Sequence, residues 1–67
     1  MCPLHTRPDR GSRALRIARP GEVVWIHCRT VGRDVRGDRL WNLLAGRTWA
    51  WAPARFVHTL GFPPRWC

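Results

Sequence analysis

The sequence contains no lysine and no tyrosine, and only four of its 67 residues are acidic. So few carboxylates provide no evident pair for general acid–base catalysis. No apolar run is long enough to span a membrane. Met1 is followed at once by Cys2, Pro3 and polar residues, which is not the pattern of a signal peptide. These absences favour a binding role over a catalytic or membrane-spanning one.

The sequence is rich in arginine and tryptophan. All twelve basic residues are arginine, the net charge is +8, and five residues are tryptophan. A field of this sign attracts acidic partners such as phosphate backbones, anionic wall polymers or acidic proteins. A chain of 67 residues forms one domain with a thin core, so we expect it to need a disulfide, a metal or a partner.

The three cysteines permit one disulfide with one thiol left over. His27 directly precedes Cys28, but neighbours on a strand point to opposite faces, so these two side chains cannot form a nucleophile–base pair. The spacing of cysteine and histidine matches no common zinc site. We therefore predict no enzymatic activity, no metal and no cofactor.

Turn residues and short apolar runs divide the chain into three segments. Residues 1–13 are rich in Arg, Pro, Gly and Ser, which predicts a basic extended arm. Residues 14–60 contain short strands separated by turn signals, which predicts a small all-β barrel of about five strands. Residues 61–67 contain two prolines, which predict an extended tail that closes on the barrel.

The clearest strand is Glu22–Arg29, which is β-branched and aromatic between turn residues. With a period of two, Val24, Ile26 and Cys28 are expected to point inward and Trp25 outward.

The later elements are shorter. We expect a loop or hairpin tip over 32–39 and a strand over 40–44 with Trp41 and Leu43 on its inner face. A third strand over 48–52, a single helical turn over 53–55 and a short closing strand at 56–57 should follow.

Several motifs occur in the order shown by bacterial SH3-type domains. They are Thr6-Arg7-Pro8-Asp9, Arg19-Pro20-Gly21-Glu22, Val24-x-Ile26-x-Cys28, the Gly-rich stretch from Val31-Gly32 to Gly37, Trp41-x-x-Leu44 and Trp51-Ala52-Pro53-Ala54-Arg55-Phe56-Val57. The set covers roughly Leu4 to Cys67. The chain most resembles the actinobacterial secreted subset, in which the polypeptide runs on after the last strand and ends in a cysteine.

This resemblance implies an SH3-like barrel in which Cys28 pairs with Cys67. Closing a loop of about 40 residues stabilises a fold by about 4 kcal/mol on the chain-entropy model, which favours the same pairing. The alternative is that Cys28 is an ordinary buried thiol.

The resemblance also implies a ligand-binding groove lined by aromatic rings. We predict that Trp25 and Trp49 are exposed and bind the ligand, together with Arg33, Arg36 and Arg39 of the hairpin.

Two ligand-binding functions remain open from the sequence, besides a structural role in which the basic arm docks on a neighbouring subunit of a larger assembly. The first is recognition of a cell-wall glycan or a short peptide by a module at the cell envelope or outside the cell, which a disulfide favours. The second is binding of nucleic acid or an acidic protein by the arginines, with Arg10, Arg13, Arg16 and Arg19 on a flexible basic rail. The second fits a cytoplasmic chain, and neither requires membrane insertion.

Overall fold

The architecture is one curled antiparallel sheet with a short helical turn. A computed structural model describes residues 2–46 and 48–67. The strands are β1 (Cys2–His5), β2 (Ala14–Ala18), β3 (Trp25–Val35), β4 (Asp38–Ala45) and β5 (Ala50–Pro53), followed by a 3₁₀ turn over Ala54–Phe56. The sheet order is β2-β1-β5-β4-β3. The prediction of an all-β fold with about five short strands is confirmed.

A single apolar core explains the curl of the sheet. Its buried centre consists of Leu4, Leu44, Ala50 and Ala52. Leu15 of β2 and Ile26 of β3 both pack against this centre, although β2 and β3 are the two edges of the sheet. A flat sheet would hold its edges far apart, so these contacts require a sheet that is coiled like a barrel.

The beginning of the chain belongs to the sheet. Cys2–His5 forms β1, which pairs with β2 on one side and with β5 on the other, where His5 opposes Trp51. The loop over 6–13 is closed by the Thr6 N–H, which donates to the Arg13 carbonyl at 3.0 Å. Residues 2–13 are therefore a strand and an ordered loop rather than the predicted arm, because β1 has ladder partners on both sides. Met1 lies outside the described residues.

The chain remains extended through Gly32, so β3 is longer than predicted. The N–H of Arg33 donates to the carbonyl of Pro8 at 3.0 Å, which seats the 6–13 loop on β3. Only glycine permits this approach, because a Cβ at Gly32 would lie 2.7 Å from Cβ of Pro8 and 2.7 Å from Cδ1 of Trp41.

The loop or hairpin tip expected over 32–39 is a hairpin, and its turn has only two residues. Val35 pairs with Asp38, and Arg36 and Gly37 between them have φ angles of 52° and 88°. Two consecutive positive φ angles are typical of the tight hairpin turn whose twist matches that of the strands.

A bulge at His27 changes the faces of β3. Ile26 opposes Leu44, and Cys28 opposes the next residue of β4, Leu43, so β3 carries one extra residue between these pairs. Directly opposed residues point to the same face. Ile26 therefore faces the core, whereas Cys28 turns to the other face. The predicted inward direction is confirmed for Ile26 and wrong for Cys28, because the bulge shifts the alternation.

Trp41 is fully buried, but on the face away from the main core. Leu44 lines that core, and alternation along β4 places Leu43 and Trp41 opposite to Leu44. The 6–13 loop lies over Trp41, whose Nε1 donates to the Arg33 carbonyl at 2.8 Å. The prediction that Trp41 and Leu43 face the core is therefore wrong, although Trp41 is buried as expected.

The C-terminal tail is fixed to the free edge of β3. Cys28 and Cys67 form a disulfide, with their Cα atoms 4.9 Å apart. The N–H of Arg29 donates to the Arg65 carbonyl at 2.8 Å, and the N–H of Cys67 donates to the Arg29 carbonyl at 2.9 Å. These bonds place Trp66 in a parallel bridge with Arg29. The disulfide-pinned tail is confirmed.

Among the described residues there is no helix of the length and apolar character needed to cross a membrane.

Candidate functional site: an apolar groove at the open seam of the sheet

A groove of about 850 Å³ opens between the two edges of the curled sheet. The sequence predicts a closing strand at 56–57, but Phe56 ends the 3₁₀ turn and Val57 begins an irregular segment. Within the described residues no strand therefore covers the seam between β2 and β3. Leu4 and Leu44, two members of the buried core, line the groove.

Two irregular segments form the walls of the groove. One is the connection over 19–24, and the other is the segment over 56–64. They expose large apolar side chains, with Val23 and Leu60 each 78% exposed and Phe62 93% exposed. Trp25, at the start of β3, is 77% exposed and lines the same groove. A contiguous apolar surface of this kind marks an interaction site.

One ion pair joins β2 to the connection that forms the first wall. Nη2 of Arg16 lies 2.7 Å from Oε2 of Glu22, and the N–H of Arg19 donates to Oε1 of Glu22 at 3.1 Å. The hydrogen bond from Arg16, followed by that from Arg19, lowers the pKa of Glu22 below its ordinary value. The negative charge of Glu22 is thus balanced by Arg16. The guanidinium of Arg19 lies at the rim of the groove, where an anionic ligand could bind it.

The thiol in the groove is not an activated nucleophile. Cys2 is the free cysteine of the described residues and contributes to the lining. Burial raises the pKa of the Cys2 thiol, which keeps it protonated and weakly reactive at neutral pH. Cys28 forms the disulfide with Cys67, so it has no free thiol that could pair with His27 as nucleophile and base. Residues 2–46 and 48–67 also contain no group of three or more side chains placed to hold a metal ion.

The structure separates the two predicted aromatic ligand contacts. Trp25 lines the groove, whereas Trp49 lies outside it and packs edge-on against His27, with ring centroids 5.0 Å apart. Trp49 is still 52% exposed. The expectation that both rings are on the surface is confirmed, but only Trp25 belongs to the groove.

The predicted arginine contacts lie at the other end of the hairpin. Trp25 begins β3, and Arg33 follows eight residues later, close to the turn that carries Arg36 and precedes Arg39. Eight residues of a regular strand would span about 26 Å at roughly 3.3 Å per residue, so Trp25 and Arg33 lie towards opposite ends of β3. The five predicted ligand-binding residues therefore do not form one site.

Sequence reasoning missed most of the groove. Leu60 and Phe62 lie in a segment rich in glycine and proline, where no periodic pattern assigns them to a face. Val23 belongs to the predicted strand Glu22–Arg29, but the structure places it in the irregular connection before β3. The signal in the sequence that could have indicated the groove is the presence of large apolar residues in stretches that form neither a strand nor a helix.

Comparison of the chain with protein-family models, curated proteins and solved structures finds no match. The groove and its surroundings are therefore interpreted from their own geometry.

Proposed function

We propose that this chain is a non-catalytic binding module whose groove takes a short extended peptide carrying apolar side chains and carboxylates. The observation that carries the proposal is the groove itself, with Trp25, Leu60 and Phe62 exposed around a floor of core residues. Its volume of about 850 Å³ lies within the usual range of ligand sites, roughly 300–1,000 Å³. Rigid aromatic rings such as that of Trp25 supply contact area at small entropic cost.

A peptide suits this lining better than a glycan. Sugar hydroxyls require many hydrogen-bonding partners, because burial of an unpaired hydroxyl is costly. The walls consist largely of aliphatic and aromatic side chains, which match the apolar residues of a peptide.

The charge of the chain favours an acidic occupant. Two copies of this protein would each bring a charge of +8, so their mutual repulsion disfavours a second copy in the groove. The same charge attracts a peptide that contains Asp or Glu, and Arg19 provides a cation at the rim.

An extended peptide also has backbone partners here. β2 is an edge strand, and its last residue, Ala18, lines the groove. A peptide strand added along this edge would occupy the seam that no strand of the described residues covers, which is a common mode of peptide recognition.

The proposed place of action is the cell envelope or the extracellular space. The Cys28–Cys67 disulfide supports it, because such bonds persist mainly in oxidising compartments. The resemblance of the sequence motifs to bacterial SH3-type domains supports a binding role rather than a catalytic one.

Selection from a displayed library of random peptides tests the proposal. The disulfide-bonded protein should enrich peptides that combine aliphatic or aromatic residues with Asp or Glu. A labelled copy of one enriched peptide is then titrated by fluorescence anisotropy against the wild type, Trp25→Ala and the matched control Trp49→Ala. Trp25→Ala should weaken binding about 30-fold, the effect of losing a central aromatic contact. Trp49→Ala should change it less than about 2-fold, because that ring lies outside the groove.

Three results would overturn the proposal. The first is enrichment of peptides that contain no apolar residues. The second is an equal loss of affinity in the two tryptophan variants. The third is that the protein enriches no peptide but is retained by purified wall glycan.

A further inference from the structure

A second surface, towards the opposite end of β3 from Trp25, collects seven of the twelve arginines of the chain. The hydrogen bond from Arg33 to Pro8 places the 6–13 loop beside the β3–β4 turn. Nη1 of Arg55 donates to the carbonyl of Arg36 at 2.8 Å, which brings a third segment to the same place. We call this surface the arginine end. It comprises Arg7, Arg10, Arg13, Arg33, Arg36, Arg39 and Arg55.

The acidic residues at the arginine end accept hydrogen bonds from backbone N–H groups. Asp9, Asp34 and Asp38 each accept a hydrogen bond from a backbone N–H two or three residues later, at 2.8, 3.0 and 2.9 Å respectively. One of them also approaches an arginine, since Oδ1 of Asp9 lies 3.7 Å from Nε of Arg33. Seven arginines against three aspartates leave a local charge of +4, which is half of the net charge of the chain.

The loop that presents Arg7, Arg10 and Arg13 is ordered without any partner. Oγ of Ser12 donates to the Asp9 carbonyl at 2.6 Å, and the N–H of Ser12 donates to the same carbonyl at 3.0 Å. Together with its attachment to β3, this network holds the loop in one shape. Arginines on such a loop lose less conformational entropy on binding than arginines on a flexible arm.

We propose that the arginine end binds the phosphate backbone of duplex DNA without reading its sequence. Guanidinium groups donate paired hydrogen bonds to phosphate oxygens, which makes an all-arginine surface well suited to this ligand. The exposed aromatic rings of the described residues lie along the groove or beside the tail. The arginine end therefore offers no platform on which unpaired bases would stack, and a duplex, whose bases are covered, fits it better than a single strand. The inference is independent of the groove and its occupant.

The test is fluorescence anisotropy with a labelled duplex of about 20 base pairs at several salt concentrations. Arg10→Gln/Arg39→Gln removes one arginine from the loop and one from the hairpin. The matched control, Arg16→Gln/Arg65→Gln, removes the same charge away from the arginine end. Each phosphate contact contributes a slope of about −0.9 to log K against log salt. Losing two contacts should reduce the slope by about 2 and weaken binding about 60-fold at 0.1 M salt, whereas the control should remain within about 3-fold.

Several outcomes would overturn the inference. Equal losses in the two double variants would assign the binding to net charge rather than to this surface. Tighter binding of single-stranded DNA than of duplex would contradict the absence of base stacking. Binding of poly-glutamate at about 50 mM salt, with no binding of the duplex, would assign the surface to an acidic protein.

Discussion

Loss of the Cys28–Cys67 disulfide is expected to remove a large share of the stability of this domain. The two cysteines are 39 positions apart, so the bond closes a loop of about 40 residues in the unfolded chain. On the chain-entropy model this closure contributes about 4 kcal/mol at 25 °C. A domain of 67 residues has a total free energy of unfolding of only about 3–10 kcal/mol. Cys28→Ser/Cys67→Ser should therefore be close to the limit of folding at room temperature.

Urea denaturation followed by tryptophan fluorescence measures this loss. The free energy of unfolding of the double variant should be about 4 kcal/mol lower than that of the wild type. A reducing agent should destabilise the wild type by a similar amount and leave the variant unchanged. Cys2→Ser is the control, because that thiol is free and its replacement leaves the disulfide intact. A loss below about 1 kcal/mol, or equal sensitivity of variant and wild type to reductant, would refute the reasoning.

The same variant separates the two surfaces. The backbone hydrogen bonds that attach the tail to β3 all lie within residues 65–67, while Leu60 and Phe62 of the groove wall are largely exposed. Under conditions in which the variant is still folded, it should lose affinity for a groove peptide. It should retain its affinity for duplex DNA, because the arginine end makes no use of the tail.

Two further predictions concern the fold. Gly32→Ala should destabilise the protein by about 1–3 kcal/mol in urea denaturation, because its Cβ would overlap Pro8 and Trp41. Gly11→Ala should cost less, since there the nearest atom is a carboxylate oxygen of Asp9 at 3.3 Å, and equal losses would contradict this explanation. Glu22 has a lowered pKa in the folded state, so its contribution is complete above the ordinary value of 4.5 and is lost as the pH falls through the lowered pKa. The difference in Tm between the wild type and Glu22→Gln should therefore be largest near neutral pH and vanish in acid, and a difference independent of pH would disprove the role of the ion pair.

Local patterns in the sequence were sufficient for much of the fold. Alternation along Glu22–Arg29 correctly predicts Trp25 outside and Ile26 inside, although the strand begins at Trp25 and residues 22–24 are irregular. The prolines of the tail exclude regular structure. These properties depend on side-chain periodicity and on backbone restrictions, both of which act over a few residues. The pairing of Cys28 with Cys67 was instead implied by the resemblance to bacterial SH3-type domains.

The alternation of side chains between the two faces of a strand fails where the sheet contains a bulge. The bulge at His27 turns Cys28 away from the core. Because Cys28 points to that face, Cys67 of the tail on the edge of β3 can form the disulfide with it. A bulge is a property of two paired strands, so one strand read alone does not reveal it.

The candidate sites depend on contacts between distant segments. Trp25 is recognisable as an exposed ring from the sequence, but the groove exists because the segment over 56–64 lies beside the connection over 19–24. The hairpin arginines are likewise recognisable, but they join the loop arginines only because Gly32 lets Pro8 approach β3.

The sequence by itself determined the all-β class and the basic charge, and its three cysteines permitted one disulfide with a spare thiol. Each follows from composition or from short-range patterns that survive in any arrangement of the strands. The tertiary structure alone decided that the arginines of the hairpin and of the 6–13 loop lie towards the opposite end of β3 from the exposed Trp25, whereas Arg19 lines the groove with Trp25. It did so because sheet pairing and loop docking, rather than proximity in the chain, determine which side chains become neighbours.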